Sequence, residues 1–227
     1  MKKFKIIYSV LLVFCLFFSC KTMAIDSNSF KVLIFGDSLS AGYKIGSDNS
    51  FATLLSNNLK EKGYQHVQII NRSVSGETTV GGLRRLPSVL SHINPDAVVL
   101  ELGVNDVFKG FSVSSIEQNL SDMITLCQKK NISVLLVGMQ APPYAELSYQ
   151  RAFNGLYKKL ATRYRLILYP FFMKGLFALE NGAIKPQKQH LLSDMIHPNV
   201  SGVQLMVDNF MPYMIRFLKE NKIYPKK

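Results

Sequence analysis

Cysteine is scarce in this sequence: three residues among 227, at positions 15, 20 and 127. The first two fall in an N-terminal segment with the marks of a targeting signal, which leaves Cys127 alone. A lone thiol cannot build an internal disulfide framework. It sits in an apolar helical pattern and is expected to be buried. Neither CxxC nor HExxH spacing occurs, so no metal and no cofactor is expected. The Gly-x4-Gly-Lys-Ser/Thr of a phosphate-binding loop is missing as well. Internal repeats, low-complexity tracts and linkers are also absent.

Long basic runs are lacking too, despite a formal charge of +12. The basic residues come in scattered pairs: Arg84-Arg85, Lys129-Lys130, Lys158-Lys159 and Lys226-Lys227. Without interleaved aromatics these do not make a nucleic-acid surface. A solvated surface with mild attraction to anionic lipid headgroups fits better. Transient membrane-surface contact by a monomer is the corresponding expectation.

No apolar run reaches the roughly 20 residues that span a bilayer. Ile6 to Phe18 is apolar almost throughout and follows Lys2, Lys3 and Lys5, the pattern of an export signal. Thr22-Met23-Ala24 offers small residues for cleavage after Ala24, giving a soluble periplasmic form. Phe17-Phe18-Ser19-Cys20 offers the alternative, a lipoprotein tethered through Cys20, and an uncleaved anchor is a third. Loss of residues 1–24 removes four lysines and no acids, leaving 23 basic and 15 acidic residues, or +8.

What is abundant is apolar sequence, 48% of the chain, enough for one domain with a sizeable core. Five short runs rich in Val, Ile and Leu are expected strands: Lys31–Phe35, Val67–Ile70, Ala97–Leu102, Ser133–Val137 and Leu166–Leu168. Amphipathic patterns lie between and after them. One uses Phe51, Leu54, Leu55 and Leu59, the next Ile116, Leu120, Met123, Ile124 and Cys127. A third uses Phe153, Leu156, Tyr157, Leu160 and Tyr164, and the last runs from Val203 to Phe217. Such alternation predicts an α/β fold, a parallel sheet with helices on both faces. Ligands then bind beyond the carboxyl ends of the strands.

The residues capable of chemistry stand there. Gly36-Asp37-Ser38 follows the first strand, and a tight strand-to-helix turn would lift Ser38 toward solvent. The helix N-terminus would supply an N–H beside it. Plain loop or helix-cap chemistry is the alternative. The stretch is not the G-x-S-x-G elbow, since Ser40 replaces the second glycine. A serine needs a base. Of four histidines, His197 is set apart by Asp194, three residues before it and able to hold the imidazole, and by Pro198. A capped turn is the bland reading. Gly76, after the second strand, and Asn105, after the third, offer donors for a developing oxyanion.

In that order, serine, glycine, asparagine and Asp/His, the four blocks resemble the SGNH (GDSL) hydrolase family. The matches are Gly36-Asp37-Ser38-Leu39-Ser40, Gly76, Gly103-Val104-Asn105-Asp106 and Asp194-Met195-Ile196-His197-Pro198. GDSLSAGY, Arg84-Arg85-Leu86-Pro87 and Pro170-Phe171-Phe172-Met173 look like its periplasmic acyl-CoA thioesterase I, lysophospholipase and arylesterase branch. The resemblance implies a flavodoxin-like three-layer α/β/α sandwich with a central five-stranded parallel sheet. It implies a metal-free Ser38-His197-Asp194 triad, with the N–H groups of Ser38 and Gly76 and the Asn105 amide holding the oxyanion. It also implies cleavage of esters and thioesters with apolar acyl chains. Where that branch often has Gly-Gly-Asn-Asp, this chain has Val104, which is expected to alter the loop that shapes the acyl site.

Phe108 and Phe111, with Ala141, Pro142, Pro143 and Tyr144, are expected to line an acyl groove; core packing is their alternative. A shallow polar site would instead favour a carbohydrate or peptidoglycan O-acetylesterase. A binding protein on a retired hydrolase scaffold would lack the serine or the histidine. The domain expected is residues 25–227.

Overall fold

The computed structural model describes residues 29–180 and 183–226. Positions 15, 20 and 24, on which the export expectations turn, lie outside them. Among the described residues no helix is long and apolar enough to cross a membrane.

Five strands form one parallel sheet: β1 (Phe30–Phe35), β2 (Val67–Asn71), β3 (Ala97–Leu100), β4 (Ser133–Val137) and β5 (Ile167–Tyr169). Their order, β2-β1-β3-β4-β5, is the doubly wound order of flavodoxin-like folds. Val32 to Phe35 and Ala97 to Leu100 are buried without alternation, as in a sheet covered on both faces. The cover comes in two groups of helices. On one side α2 (Phe51–Glu61) packs against α7 (Val200–Glu220). On the other, α5 (Val113–Lys129) packs against both α3 (Thr79–Ile93) and α6 (Leu147–Tyr164). Edge-on aromatic contacts of Phe51 with Phe172, at 4.8 Å, and with Phe210, at 5.3 Å, lock α2 to α7 and to the loop after β5. Cys127 is buried and free, as expected.

Two elements depart from the sequence expectation. The helix α3 carries Gly81, Gly82 and Pro87, three residues that disfavour a helix interior. It is capped by Thr78 and buries Leu86 and Leu90, and Gly82 suits its place because a Cβ there would come within 2.5 Å of Leu102 Cδ1. Pro87 is exposed. The second is an antiparallel hairpin, β6 (Phe177–Glu180) and β7 (Ala183–Pro186), between β5 and α7. The third strand also ends two residues earlier than expected, at Leu100. Glu101 and Leu102 are thereby freed to leave the sheet.

Reversal of strand order between β1 and β3 opens a crevice at their carboxyl ends. Three loops rise from it: Gly36–Asp37 after β1, Arg72–Thr78 after β2, and Glu101–Gly103 after β3. The last leads into the short helix α4 (Val104–Phe108).

Candidate active site

Ser38 opens α1 (Ser38–Ala41), a helix of a single turn that ends at Gly42. The strand-to-helix turn expected at Ser38 is present, but so short a helix has little dipole. The turn is held instead by side chains. Asp37 caps it by accepting the Leu39 N–H on Oδ1 at 3.0 Å. Below lies Glu101, fully buried. Its Oε2 accepts from the Asp37 N–H at 3.2 Å and from Ser40 Oγ at 2.8 Å.

Ser38 Oγ lies 2.9 Å from His197 Nε2, and His197 Nδ1 lies 2.9 Å from Asp194 Oδ2. An ionised carboxylate can only accept, so Nδ1 carries the proton and Nε2 accepts from the serine hydroxyl. Burial alone would raise the Asp194 carboxyl. Hydrogen bonds from the His197 and Ile196 N–H groups, and from the imidazole itself, bring it down to about 2. The carboxylate is therefore charged at neutral pH. Met195, between them, takes a left-handed conformation at φ 58°, which bends the chain so that Asp194 faces back onto His197. Leu192 N–H closes the loop by donating to the His197 carbonyl at 2.8 Å. The Tyr43 ring packs on the imidazole, with centroids 4.4 Å apart.

Gly76 and Asn105 come to the same crevice. Gly76 is exposed at φ 76°. Its loop is tied to the serine turn through Val74 N–H, which donates to the Gly36 carbonyl at 3.0 Å. Asn105 Nδ2 donates to Asp37 Oδ2 at 3.0 Å and to the Glu77 carbonyl at 3.1 Å. One amide thus joins the loops after β1, β2 and β3. The N–H groups of Ser38 and Gly76 enter no hydrogen bond with the described residues. Asp37, fully buried, is raised to about 7, first by loss of hydration and then by the charges of Asp106 and Glu77, against the Leu39 bond. Asp106 accepts from the Thr79 N–H and hydroxyl, fixing α4 against the start of α3. Among the described residues no cluster of three or more His, Cys, Asp or Glu side chains is placed to hold a metal ion.

Beside Ser38 and His197 lies a cleft of about 200 Å³, lined by Leu39, Val104, Asn105, Phe108, Met139, Met173 and Ile196. A second hollow of about 220 Å³ shares Val104, Phe108, Met139, Met173 and Ile196 with it. It continues over Ala141, Pro142, Pro143, Tyr144, Phe171 and Phe177. Together they make one apolar groove that begins at the serine. Phe108 is 48% exposed at its edge and Tyr144 78% exposed at its mouth. Phe111 lines neither part. It packs against the core, and its carbonyl accepts from the Tyr149 hydroxyl at 2.6 Å. The loop turns back there, where Phe111 N–H bonds the Asp106 carbonyl at 2.9 Å. Val104 lines both parts of the groove, at the position where the third block departs from the family pattern.

Sequence reasoning gave Glu101, Tyr43, Met139, Met173 and Ile196 no role of their own, although they stand in the strand-end stretches and motifs that it singled out. Met139 had a signal, since it follows a strand in the same register of positions as the other site loops. Glu101 had one also, an acid at the end of an unbroken apolar run.

Asn105→Ala tests the oxyanion role expected of its amide, for which loss of one donor lowers kcat by about 10²–10³. Because its amide also ties three loops, the melting temperature should fall too, and thermal denaturation beside kinetics separates the effects. An unchanged kcat would remove Asn105 from the site.

The model of the GDSL-like lipase/acylhydrolase family matches residues 34–205. An arylesterase of Vibrio mimicus is 40% identical over 190 residues, 84% of this chain and 88% of that protein. Esterase TesA of Pseudomonas aeruginosa is 34% identical over 181 residues, 80% of this chain and 86% of its own. A crystal structure of TesA superposes with a TM-score of 0.74 at 32% identity, over 83% of this chain and 99% of that one. The psychrotrophic esterase EstA from Pseudoalteromonas gives 0.75 at 28% identity, over 83% and 98%. The chain belongs to the GDSL-like lipase/acylhydrolase family.

Proposed function

From membership of that family, we propose that this chain is a serine hydrolase of carboxylic esters and thioesters with apolar acyl chains. The single observation that carries the reading is the unbroken line Asp194–His197–Ser38, with both bonds at 2.9 Å, at the head of an apolar groove. Ser38 Oγ attacks the acyl carbonyl as His197 Nε2 takes its proton. Asp194 fixes the tautomer and stabilises the imidazolium. The N–H groups of Ser38 and Gly76 and the Asn105 amide hold the oxyanion. As the tetrahedral adduct collapses, His197 returns the proton to the departing alcohol or thiol. The acyl group remains on Ser38. Water, deprotonated by His197, then attacks, and as the second adduct collapses His197 returns that proton to Ser38 Oγ and the acid leaves. Both Asn105 protons are engaged in the resting site, so the amide must share one with the oxyanion when it forms.

The O-acetylesterase alternative called for a shallow polar site, and the apolar groove gives it no support. Hydrolysis of p-nitrophenyl esters from acetate to palmitate, with acyl-CoA and a lysophospholipid alongside, tests the reading. Rates should climb from acetate to medium chains, since each buried methylene contributes up to roughly 0.8 kcal/mol. Activity confined to acetate would overturn it. Phe108→Ala should flatten that climb more than it lowers acetate hydrolysis, because Phe108 edges both halves of the groove. Equal losses at all lengths would assign Phe108 a packing role.

The same reading makes residues 1–24 an export segment and residues 25–227 one hydrolase domain, a periplasmic monomer that meets lipid surfaces transiently. Mass spectrometry of the exported protein should find Ile25 first. A diacylglyceryl group on Cys20 would replace this with a tethered lipoprotein.

A further inference from the structure

Glu101 is a fully buried acid that the mechanism above does not use. It leaves β3 directly beneath the serine turn. Its Oε2 receives two hydrogen bonds, from the residue before Ser38 (Asp37 N–H, 3.2 Å) and from the second residue after it (Ser40 Oγ, 2.8 Å). The fit is close enough to exclude a side chain above it: a Cβ on Gly36 would lie 2.3 Å from that same oxygen. Its other oxygen, Oε1, is buried with no hydrogen-bond partner among the described residues. A buried carboxyl half of which is unpartnered costs stability. Its place is therefore not explained by stability.

We propose that Glu101 is a positioning residue: its Oε2 clamps the chain on both sides of Ser38 and so sets the direction of the Ser38 N–H and Oγ. The inference rests on Ser38 being the nucleophile. Both acceptor directions of Oε2 are taken, so Oε1 is the oxygen left to carry a proton. Burial first, and the Asp37 charge second, hold this carboxyl well above the usual range, against the two bonds to Oε2. The groups that face it are Asp37 of the serine turn, Ser40 of α1 and Tyr157 of α6. Arg85 of α3, which lies over the Phe35 ring, is paired with Glu77. None of these supplies a free positive charge.

Glu101→Gln and Glu101→Ala test the proposal, with p-nitrophenyl butyrate as substrate, rates expressed per folded molecule, and melting temperature followed from pH 4 upward. Glutamine keeps an acceptor where Oε2 stands, so kcat should stay within about threefold of wild type at neutral pH. Alanine removes the acceptor. Its kcat should fall on the order of 10²-fold with little change in KM, as for loss of a transition-state interaction. The pH readout has a definite sign. A raised carboxyl contributes stability that is full below its ordinary value and is lost as pH climbs toward the raised one. Glutamine has no such loss. The melting temperature of Glu101→Gln relative to wild type should therefore rise steadily with pH, whatever its offset at pH 4. Alanine that keeps wild-type kcat per folded molecule, glutamine as inactive as alanine, or a pH-independent difference in melting temperature would each overturn the proposal. Should alanine not fold, glutamine and the pH series decide alone. Wild-type enzyme that failed to hydrolyse the ester would instead count against the functional reading, not against the clamp.

Discussion

Ser38→Ala should lower kcat by about 10⁴–10⁶-fold while leaving the fold in place. Its hydroxyl makes one side-chain bond, to His197 Nε2, and lies at the surface end of the sheet rather than in the core. The turn around it depends on Asp37, Ser40 and Glu101, and all three remain in the variant. The loss of one part-buried bond is worth about 1 kcal/mol, or roughly 2–4 °C in melting temperature for a chain of this size. Circular dichroism should thus be unchanged as turnover disappears. Near-wild-type turnover by the purified variant would remove Ser38 from the chemistry.

Gly36→Ala should damage both stability and activity. The new carbon would sit 2.3 Å from Glu101 Oε2, 2.9 Å from the Glu101 carbonyl oxygen and 2.9 Å from Ser40 Oγ. The first and third of these end side chains, but they are hydrogen-bonded to each other, and Glu101 Oε2 also accepts from the Asp37 N–H, so neither is free to move aside. Overpacking of this kind costs about 1–3 kcal/mol or more. A fall of about 5–10 °C in melting temperature is expected from the same scaling. Activity should fall further than stability, because the carboxyl can yield only by releasing the turn that presents Ser38. A variant with wild-type kcat and melting temperature would show that the turn and Glu101 are not packed as described.

How much of this was legible in the sequence differs from part to part. Strands buried on both faces announce themselves as unbroken apolar runs, so β1 and β4 were placed within a residue. The last helix was visible through Val203, Val207, Phe210, Met214 and Phe217, all of which are buried. By contrast α3 was hidden, because its glycines and proline speak against a helix while the Thr78 cap and burial of Leu86 and Leu90 hold one. The hairpin β6–β7 was hidden as well, since a two-stranded ribbon needs no long apolar run. Ser38, Gly76, Asn105, Asp194 and His197 could be named because each follows a strand or precedes the last helix and carries a group suited to acyl transfer.

The support beneath them was not legible. Glu101 reads as the end of a strand, and only its burial under Gly36 reveals what it touches. The groove divides the same way. Phe108 and Phe111 are equivalent in sequence, three residues apart around a glycine. The backbone turns at Phe111, whose N–H bonds the Asp106 carbonyl, and the half-buried second ring packs against the core while the first stays at the groove. A backbone bond of that sort has no side-chain signature.

The central claim is that Ser38 is a nucleophile activated by His197. Reaction with diethyl p-nitrophenyl phosphate, which phosphorylates an activated serine and releases nitrophenol, tests it most directly when the adduct is mapped by peptide mass spectrometry. A single diethylphosphoryl group on Ser38 is predicted in the wild-type protein, with labelling slowed by orders of magnitude in His197→Gln. Label on another residue, or a His197→Gln variant labelled at the wild-type rate, would contradict it.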